Sequence, residues 1–163
     1  MSEAGYPKLP AKPTLPDLRE AVQRCRACDL GARATQGVFG EGKRSAKVIF
    51  VGEQPGDQED QQGHPFVGPA GRILDEGLAD AGIDRTTVYV TNAVKHFKWK
   101  PAPKGKRRIH EKPNAAEVAA CRFWLQTEIQ LLKPRLIVAL GATAAQALFD
   151  RTFKVTKQRG KPV

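Results

Sequence analysis

The densest group of residues suited to chemistry lies in residues 52–71. It begins Gly52-Glu53-Gln54-Pro55-Gly56-Asp57, continues with Glu59-Asp60, and ends Gly63-His64-Pro65-Phe66-Val67-Gly68-Pro69-Ala70-Gly71. Carboxylates such as Glu53 and Asp57 can orient water or accept a proton. The glycines permit close backbone approach, and amides at the start of a following helix can receive a phosphate or carbonyl oxygen. Considered alone, this segment could equally be an ordinary polar loop.

A second candidate is Asn92, in Val90-Thr-Asn92-Ala-Val-Lys-His96. An Asn side chain carries both a hydrogen-bond donor and an acceptor, so it can bind an amide-like edge of a ligand. A lone Asn at the end of a strand is more often a turn residue. The residue type alone therefore leaves both interpretations open.

The three cysteines, Cys25, Cys28 and Cys121, indicate a metal or redox role. An odd number in a chain whose first residues lack the apolar core of a secretory signal argues against a disulfide framework. The Cys-x-x-Cys spacing of the first two is shared by redox pairs, zinc sites and iron–sulfur clusters. The alternative is that Cys121 is a core residue of its helix and that His96 belongs to the basic segment that follows.

Residues 95–112 carry eight Lys or Arg and one acid, Glu111, and so account for +7 of the formal net charge of +10. Phe97, Trp99 and Ile109 are interleaved with the cations. Because aromatic rings stack on bases while cations neutralise phosphates, this pattern favours a nucleic acid partner over a membrane. A solvated loop is the alternative.

The same segment contains the string Gly105-Lys-Arg-Arg-Ile-His110. Neighbouring cations favour the neutral form of an imidazole, which is its nucleophilic form. A histidine in a cationic loop is nevertheless often only a solvated side chain. His110 is thus a candidate nucleophile.

Short apolar runs and helical spacings predict the elements that position these residues. Strands are predicted at 47–52, 87–91, 134–141 and 152–155, and helices at 18–30, 70–81, 115–132 and 142–149, with a capping box of Asn114 and Glu117 before the third helix. The alternation predicts an α/β sandwich with a mainly parallel sheet. Ligands of such sheets bind beyond the carboxyl ends of the strands, where the segments 52–57, 91–92 and 141–143 would meet.

The predicted organisation is a flexible leader at residues 1–16 followed by one domain at 17–163. No run of apolar residues is long enough to span a bilayer. We therefore expect a cytoplasmic monomer, of bacterial type and associated with the nucleoid when it acts on DNA.

Together, these segments resemble the family 4 uracil-DNA glycosylases over nearly all of residues 18–149. Gln54 in the first segment, His96 and the Lys-Arg-Arg-Ile-His string resemble the UdgX-type subgroup more specifically. The resemblance implies a three-layer αβα sandwich that excises uracil from DNA, with single-stranded DNA preferred. It also implies that the loop histidine then attacks C1′ of the deoxyribose and leaves the protein joined to the DNA.

The resemblance assigns a role to each candidate residue. His110 is the nucleophile, Glu53 accepts its proton or stabilises positive charge, and Asp57 is the second carboxylate. Phe66 stacks on uracil, Asn92 reads its polar edge, and amides around Gln54 stabilise the departing uracil anion. The DNA-binding cations are Lys104, Lys106, Arg107 and Arg108. A [4Fe–4S] cluster is implied at Cys25, Cys28, His96 and Cys121, with histidine in place of the fourth cysteine of the family.

The sequence departs from the family near Thr152, where a His-Pro-Ser-type segment is expected. The sequence ends at Val163, so the C-terminal part of the domain is expected to be missing. One alternative is therefore a catalytically inactive DNA-binding or repair module of the same fold. Another is a nucleotide-binding oxidoreductase. Against it, no Gly-x-Gly-x-x-Gly follows the first strand and no acid ends the second.

Overall fold

The computed structural model describes residues 5–163, and the first four residues of the predicted leader lie outside the described residues. In this range the helices are α1 (Leu15–Val22), α2 (Leu30–Arg33), α3 (Asp57–Gln62), α4 (Pro69–Asp80), α5 (Ala115–Leu132), α6 (Ala142–Leu148) and α7 (Val155–Gln158), with a 3-10 turn at Arg85–Thr87. The strands are β1 (Glu41–Gly42), β2 (Val48–Gly52), β3 (Tyr89–Asn92), β4 (Trp99–Pro101), β5 (Arg108–His110) and β6 (Leu136–Ala139).

The central sheet of the described residues has the strand order β1-β3-β2-β6. Strands β3, β2 and β6 are parallel, and β1 is an antiparallel edge strand. The register pairs Gly52 with Asn92, so the carboxyl ends of β2 and β3 lie side by side. The predicted mainly parallel sheet is confirmed, and its topology brings the first two candidate segments to one edge.

Successive side chains of the strands face two different helical layers, as the twofold repeat of a strand requires. Ile49 packs with Leu125 of α5 on one face. Phe50 packs with Leu74 of α4 on the other face. The three-layer αβα sandwich is therefore confirmed, with α4 on one side of the sheet and α5 and α6 on the other.

Helix α5 begins and ends as its sequence predicts. The Asn114 side chain accepts a hydrogen bond from the Glu117 amide at 2.9 Å, and the Glu117 carboxylate accepts one from the Asn114 amide at 2.7 Å. These two bonds form the predicted capping box. The helix ends at Leu132, and its C-cap residue Lys133, directly before Pro134, has a left-handed φ of 49°.

Three local predictions are wrong. The helix predicted at 18–30 ends at Val22, since the polar residues that follow offer no continuous apolar stripe, and Cys-x-x-Cys lies in a turn between α1 and α2. Helix α3 lies in the predicted loop; it has no apolar residue, and its acidic first turn suits a helix N-terminus. No strand forms at 152–155 within the described residues, because Asp150 accepts hydrogen bonds from the Thr152 amide and hydroxyl and closes a turn before α7.

The described part of the predicted leader contacts the rest of the chain. The Tyr6 hydroxyl donates to the Ala120 carbonyl at 2.5 Å, and the Arg26 amide donates to the Gly5 carbonyl at 2.8 Å. None of the helices within residues 5–163 is long and apolar enough to cross a membrane.

Candidate active site

A cavity of about 630 Å³ opens at the carboxyl edge of the sheet, beside β2 and β3. Its polar lining includes Glu53, Gln54, Asn92 and His110, and Phe66 contributes an aromatic wall. Apolar residues of α4 form much of the remainder. Five residues selected from three separate sequence segments therefore meet at one cavity, which combines an apolar body with a few polar groups as ligand pockets do.

Gly52 allows the side of the cavity that Asn92 and Phe66 line to form. A Cβ atom at this position would lie 2.5 Å from the Asn92 Oδ1 atom and 2.7 Å from the Phe66 Cζ atom. Any larger residue would therefore displace one of these two side chains. The backbone of Phe66 itself has a φ of 57°, a left-handed conformation that is costly for an aromatic residue. Strain of this kind persists where surrounding contacts hold it, and it concentrates at functional sites.

His110 reaches the cavity on an antiparallel hairpin formed by β4 and β5. The register pairs Trp99 with His110 and Pro101 with Arg108. The sequence predicted a basic loop here, because residues rich in Lys, Pro and Gly have weak strand propensity. The hairpin gives the predicted nucleophile a defined place at the end of a strand.

The imidazole of His110 lies against two side chains from the end of β2. Its Nε2 atom is 2.8 Å from the Gln54 Nε2 atom and 3.6 Å from the Glu53 Oε1 atom. The Gln54 Oε1 atom accepts a hydrogen bond from the Lys98 amide at 2.9 Å, so the amide group of Gln54 is oriented with its NH2 toward His110. In this geometry the Gln54 NH2 can donate to His110 Nε2 in the tautomer that carries its proton on Nδ1.

Glu53 is held from its other side by α6. Its Oε2 atom accepts a hydrogen bond from the Thr143 hydroxyl at 2.5 Å. The carboxylate thus has one oxygen fixed by Thr143 and the other directed to His110. Thr143 follows the end of β6, in one of the three strand-end segments predicted to meet here, although the sequence analysis gave it no role.

Arg108 points into the protein rather than into solvent. Its Nε atom lies 2.6 Å from Asp57 Oδ1 and its Nη1 atom 2.6 Å from Asp60 Oδ2. The guanidinium also lies over the rings of Phe97 and Trp99, at 5.3 and 5.4 Å from their centroids. Phe97 is only 1% exposed, so the expectation that it stacks on DNA bases is wrong. Arg108 and its partners instead fix the hairpin to α3.

The remaining predicted residues lie apart from the cavity. Asp57 is on α3, paired with Arg108, and does not line the cavity. The side chains of Lys104, Lys106 and Arg107 are exposed at the tip of the hairpin. The structure therefore separates the predicted phosphate-binding cations into an exposed group of three and one internally paired arginine.

Two acids of residues 52–71, Glu59 and Asp60, have structural contacts that the sequence did not predict. The Asp60 carboxylate is fully buried and accepts hydrogen bonds from the Arg108 guanidinium and from the Thr35 amide. Glu59 accepts the amides of Gly56 at 3.1 Å and Gly68 at 2.8 Å, and so joins the two ends of the motif. The sequence contained no sign of these roles, because α3 has no apolar residue and was not predicted as a helix.

The cysteines lie together near the N-terminal helix. Cys25 and Cys121 belong to one buried apolar cluster, and Cys28 packs against it. The Cys28 thiol accepts hydrogen bonds from the amides of Leu30 and Gly31, and the Cys121 Sγ atom accepts one from the Lys95 amide at 3.3 Å. Burial raises the pKa of Cys28, and it raises the pKa of Cys121 to about 12.

The fit of this group to an iron–sulfur cluster is partial. Thiols that accept backbone N–H bonds have the donor chemistry that iron–sulfur clusters use. Burial lowers the pKa of His96 to about 4, which keeps its ring neutral and able to act as a ligand, although the ring is hydrogen-bonded to the Val22 backbone. Among the residues that the structure describes, no three His, Cys, Asp or Glu side chains are arranged as a metal site.

Comparison with known proteins identifies the family. The model of the uracil DNA glycosylase superfamily matches residues 39–163. A type-4 uracil-DNA glycosylase of Thermotoga maritima is 42% identical over 145 residues, which are 88% of this chain and 71% of that protein. Type-4 enzymes of Archaeoglobus fulgidus and Pyrobaculum aerophilum are 39% and 40% identical, over 91% and 90% of this chain and 72% of each relative.

The superfamily match contains the cavity residues and the hairpin, and the three type-4 relatives match 88–91% of the chain. The chain belongs to the uracil-DNA glycosylase superfamily and, within it, to the type-4 family.

Proposed function

We propose that this protein excises uracil from DNA and then captures the deoxyribose covalently through His110. The observation that carries the proposal is the meeting of Asn92, Phe66 and His110 at one cavity beside Gln54 and Glu53. The type-4 relatives act on uracil in DNA by name, and this cavity contains the groups that such a reaction needs.

Uracil would enter the cavity flipped out of the helix or presented on a single strand. Unstacking a base costs a few kcal/mol, and this cost is smallest in single-stranded DNA. Phe66 would stack on the ring, and the Asn92 carboxamide would bind its carbonyl and N–H groups. Backbone amides near Gln54 would stabilise the anion that leaves with the electron pair of the glycosidic bond.

The proposed covalent step uses the His110 Nε2 atom, which lies beside Gln54 and Glu53. When the glycosidic bond breaks, its electron pair departs with uracil, and C1′ is left as part of an oxocarbenium ion. The lone pair on His110 Nε2 then forms a bond to C1′, and the resulting imidazolium loses its Nδ1 proton to water. Glu53, held by Thr143, would stabilise the positive charge first on the sugar and then on the ring. Proximity gives the imidazole its advantage over water.

The exposed hairpin tip would hold the DNA backbone. Lys104, Lys106 and Arg107 extend from the hairpin that carries His110, so phosphates bound there would lie near the reacting nucleotide. Such contacts position the strand without reading its sequence. We propose that single-stranded DNA is preferred and that the protein acts as a monomer, since one chain contributes all five cavity residues.

We also propose that Cys25, Cys28, Cys121 and His96 hold a [4Fe–4S] cluster. The supporting observations are the shared apolar environment of the thiols and the N–H bonds to two of them. Such a cluster would join α1, α5 and the segment after β3, which is a structural role. Cys28→Ala should remove visible absorbance and iron from the purified protein; a colourless native protein that contains zinc would contradict the cluster.

The test of the main proposal is denaturing gel electrophoresis after incubation with uracil-containing single-stranded DNA. We expect a shifted band that survives denaturant, requires uracil, and disappears completely in His110→Gln. The matched control is His64→Gln, because His64 is an exposed histidine bonded to Glu41 on the protein surface. Uracil release is measured in the same samples.

The paired measurements separate the outcomes. Uracil release without a covalent band would contradict capture by His110 and leave an ordinary glycosylase. Neither release nor a band, with DNA binding retained, would instead favour the inactive DNA-binding module. A band that persists in His110→Gln would show that another residue is the nucleophile.

A further inference from the structure

A lysine and a glutamate are completely buried together behind the candidate active site. The Lys95 and Glu128 side chains are both 0% exposed, and their charged atoms lie 2.5 Å apart. The Lys95 ammonium uses its three N–H groups on Glu128, on the Thr91 hydroxyl at 2.6 Å, and on the Asn92 carbonyl at 2.7 Å. The lysine therefore has no unsatisfied donor.

Both carboxylate oxygens of Glu128 also have hydrogen-bond donors. Its Oε1 atom accepts hydrogen bonds from the Tyr89 hydroxyl at 2.8 Å and the Gly40 amide at 3.2 Å, and the Thr91 hydroxyl lies 3.0 Å from each carboxylate oxygen. Glu128 comes from α5, whereas Tyr89 and Thr91 come from β3. The network thus fixes α5 to the strand that ends at Asn92.

One bond of this network reaches a residue of the cavity. Lys95 holds the backbone carbonyl of Asn92, while the side chain of Asn92 lines the cavity. The next two residues are held to the first motif: the Ala93 amide donates to the Gly52 carbonyl at 2.8 Å, and the Val94 amide to the Glu53 carbonyl at 2.9 Å. Lys95 follows directly, so its side chain closes the turn that sets the direction of the Asn92 carboxamide.

The presence of a buried ion pair is weak evidence that the pair stabilises the fold. Replacing a buried pair by apolar residues of similar volume is often neutral or stabilising, whereas removing one partner is strongly destabilising. What an apolar pair cannot do is donate a hydrogen bond to the Asn92 carbonyl. This difference separates a positioning role from a merely structural one.

We propose that Lys95, held by Glu128, is a positioning residue that sets Asn92 for recognition of uracil. The inference rests on the proposed function, because it assigns Asn92 to the polar edge of the base. Lys95 touches no substrate; it acts through the backbone of Asn92. Its amide also donates to Cys121, so the same residue connects the cysteine group with the base-binding side of the cavity.

The test compares Lys95→Met/Glu128→Met with the native protein. The double replacement leaves no buried charge, but it deprives the Tyr89 hydroxyl and the Gly40 amide of their acceptor. The melting temperature should therefore fall, but by less than in Lys95→Met alone, which leaves the Glu128 carboxylate buried and unpaired. Because small displacements of a binding group have large kinetic effects, we expect the single-turnover rate of uracil release to fall about 10- to 100-fold. Affinity for single-stranded DNA should be unchanged.

A thermodynamic cycle with Asn92→Ala identifies the route of the effect. If Lys95 acts through Asn92, the double replacement should cause no further loss of rate in the Asn92→Ala background. Full additivity of the two losses would overturn the proposal, as would an unchanged rate in the folded double variant.

Side-chain amide signals of Asn92 in nuclear magnetic resonance spectra provide a readout that does not depend on activity. They should shift or broaden in the double variant, and unchanged signals would overturn the positioning role. If the native protein released no uracil, the proposed function would fail, and these signals would still decide whether Lys95 positions Asn92.

Discussion

Both ends of the β4–β5 hairpin carry basic residues, but these residues lie in different physical environments. At the base, Arg108 is paired with Asp57 and Asp60, and His110 lies against Gln54. At the tip, the side chains of the cations Lys104, Lys106 and Arg107 are exposed, and within residues 5–163 none of the three forms an ion pair. Adjacent arginines in the sequence, Arg107 and Arg108, therefore belong to different parts of the molecule.

This difference shows that a cationic run is not one functional unit. The charge of Arg108 is neutralised inside the protein, and its geometry is fixed by hydrogen bonds, so it is suited to holding the strand that carries His110. The tip charges remain available to an external anion. The net charge of the run therefore overstates the charge available to an external anion, because Arg108 instead supports the strand that carries His110.

The largest effect should come from Arg108→Gln, measured against Arg107→Gln. Loss of Arg108 leaves the fully buried carboxylate of Asp60 without its cation, so we expect a loss of about 2–3 kcal/mol in the free energy of unfolding. Covalent capture should slow about 100-fold as His110 loses its position. Urea denaturation and the time course of the denatured-gel band measure the two effects.

Arg107→Gln removes the same charge from an exposed site and is the matched control. Its stability should change by less than about 0.5 kcal/mol, as surface substitutions usually do. Equal effects of the two replacements on both stability and capture would refute the division between base and tip.

A smaller effect should follow from Gln54→Leu, which tests the base of the hairpin from the other side. The replacement removes the hydrogen bonds to His110 and to the Lys98 amide while keeping a similar volume. Capture should slow about 10-fold, because His110 keeps its strand but loses the group that orients its ring. Uracil release should fall less than capture, and an equal fall in both rates would place Gln54 in base binding instead.

The sequence predicted the layers of the fold because its signals are local. The apolar run that became β2 and the capping box of α5 are both set by neighbouring residues, and both are present in the structure. The meeting of Glu53 and Gln54 with Asn92 could also be predicted, since the carboxyl ends of parallel strands must meet. The place of His110 could not, because it reaches the cavity on an antiparallel hairpin.

What could not be predicted depends on contacts between distant segments. The pairing of Arg108 with Asp60 spans 48 residues, and that of Lys95 with Glu128 spans 33. In both cases the lysine or arginine looks like part of a solvated run, because no local pattern marks a buried partner. Helix α3 was missed for the same reason: its polar residues face partners that only the folded chain supplies.

The smallest effect should come from removing the tip charges, in Lys104→Gln/Lys106→Gln/Arg107→Gln. If each cation contacts a phosphate of single-stranded DNA, the slope of log binding constant against log salt should fall in magnitude by about 2, at about 0.7 per contact. The melting temperature and the rate of capture at saturating DNA should stay close to native, since the base of the hairpin is unchanged.

A matched control is Lys43→Gln/Arg44→Gln/Lys47→Gln, which replaces three exposed cations that precede β2 at the opposite edge of the sheet. If both triple variants shift the salt slope equally, DNA binding depends on net charge alone and the tip has no special role. A slope that changes only for the tip variant, with capture intact, would establish that the tip of the hairpin binds the DNA backbone while its base positions His110.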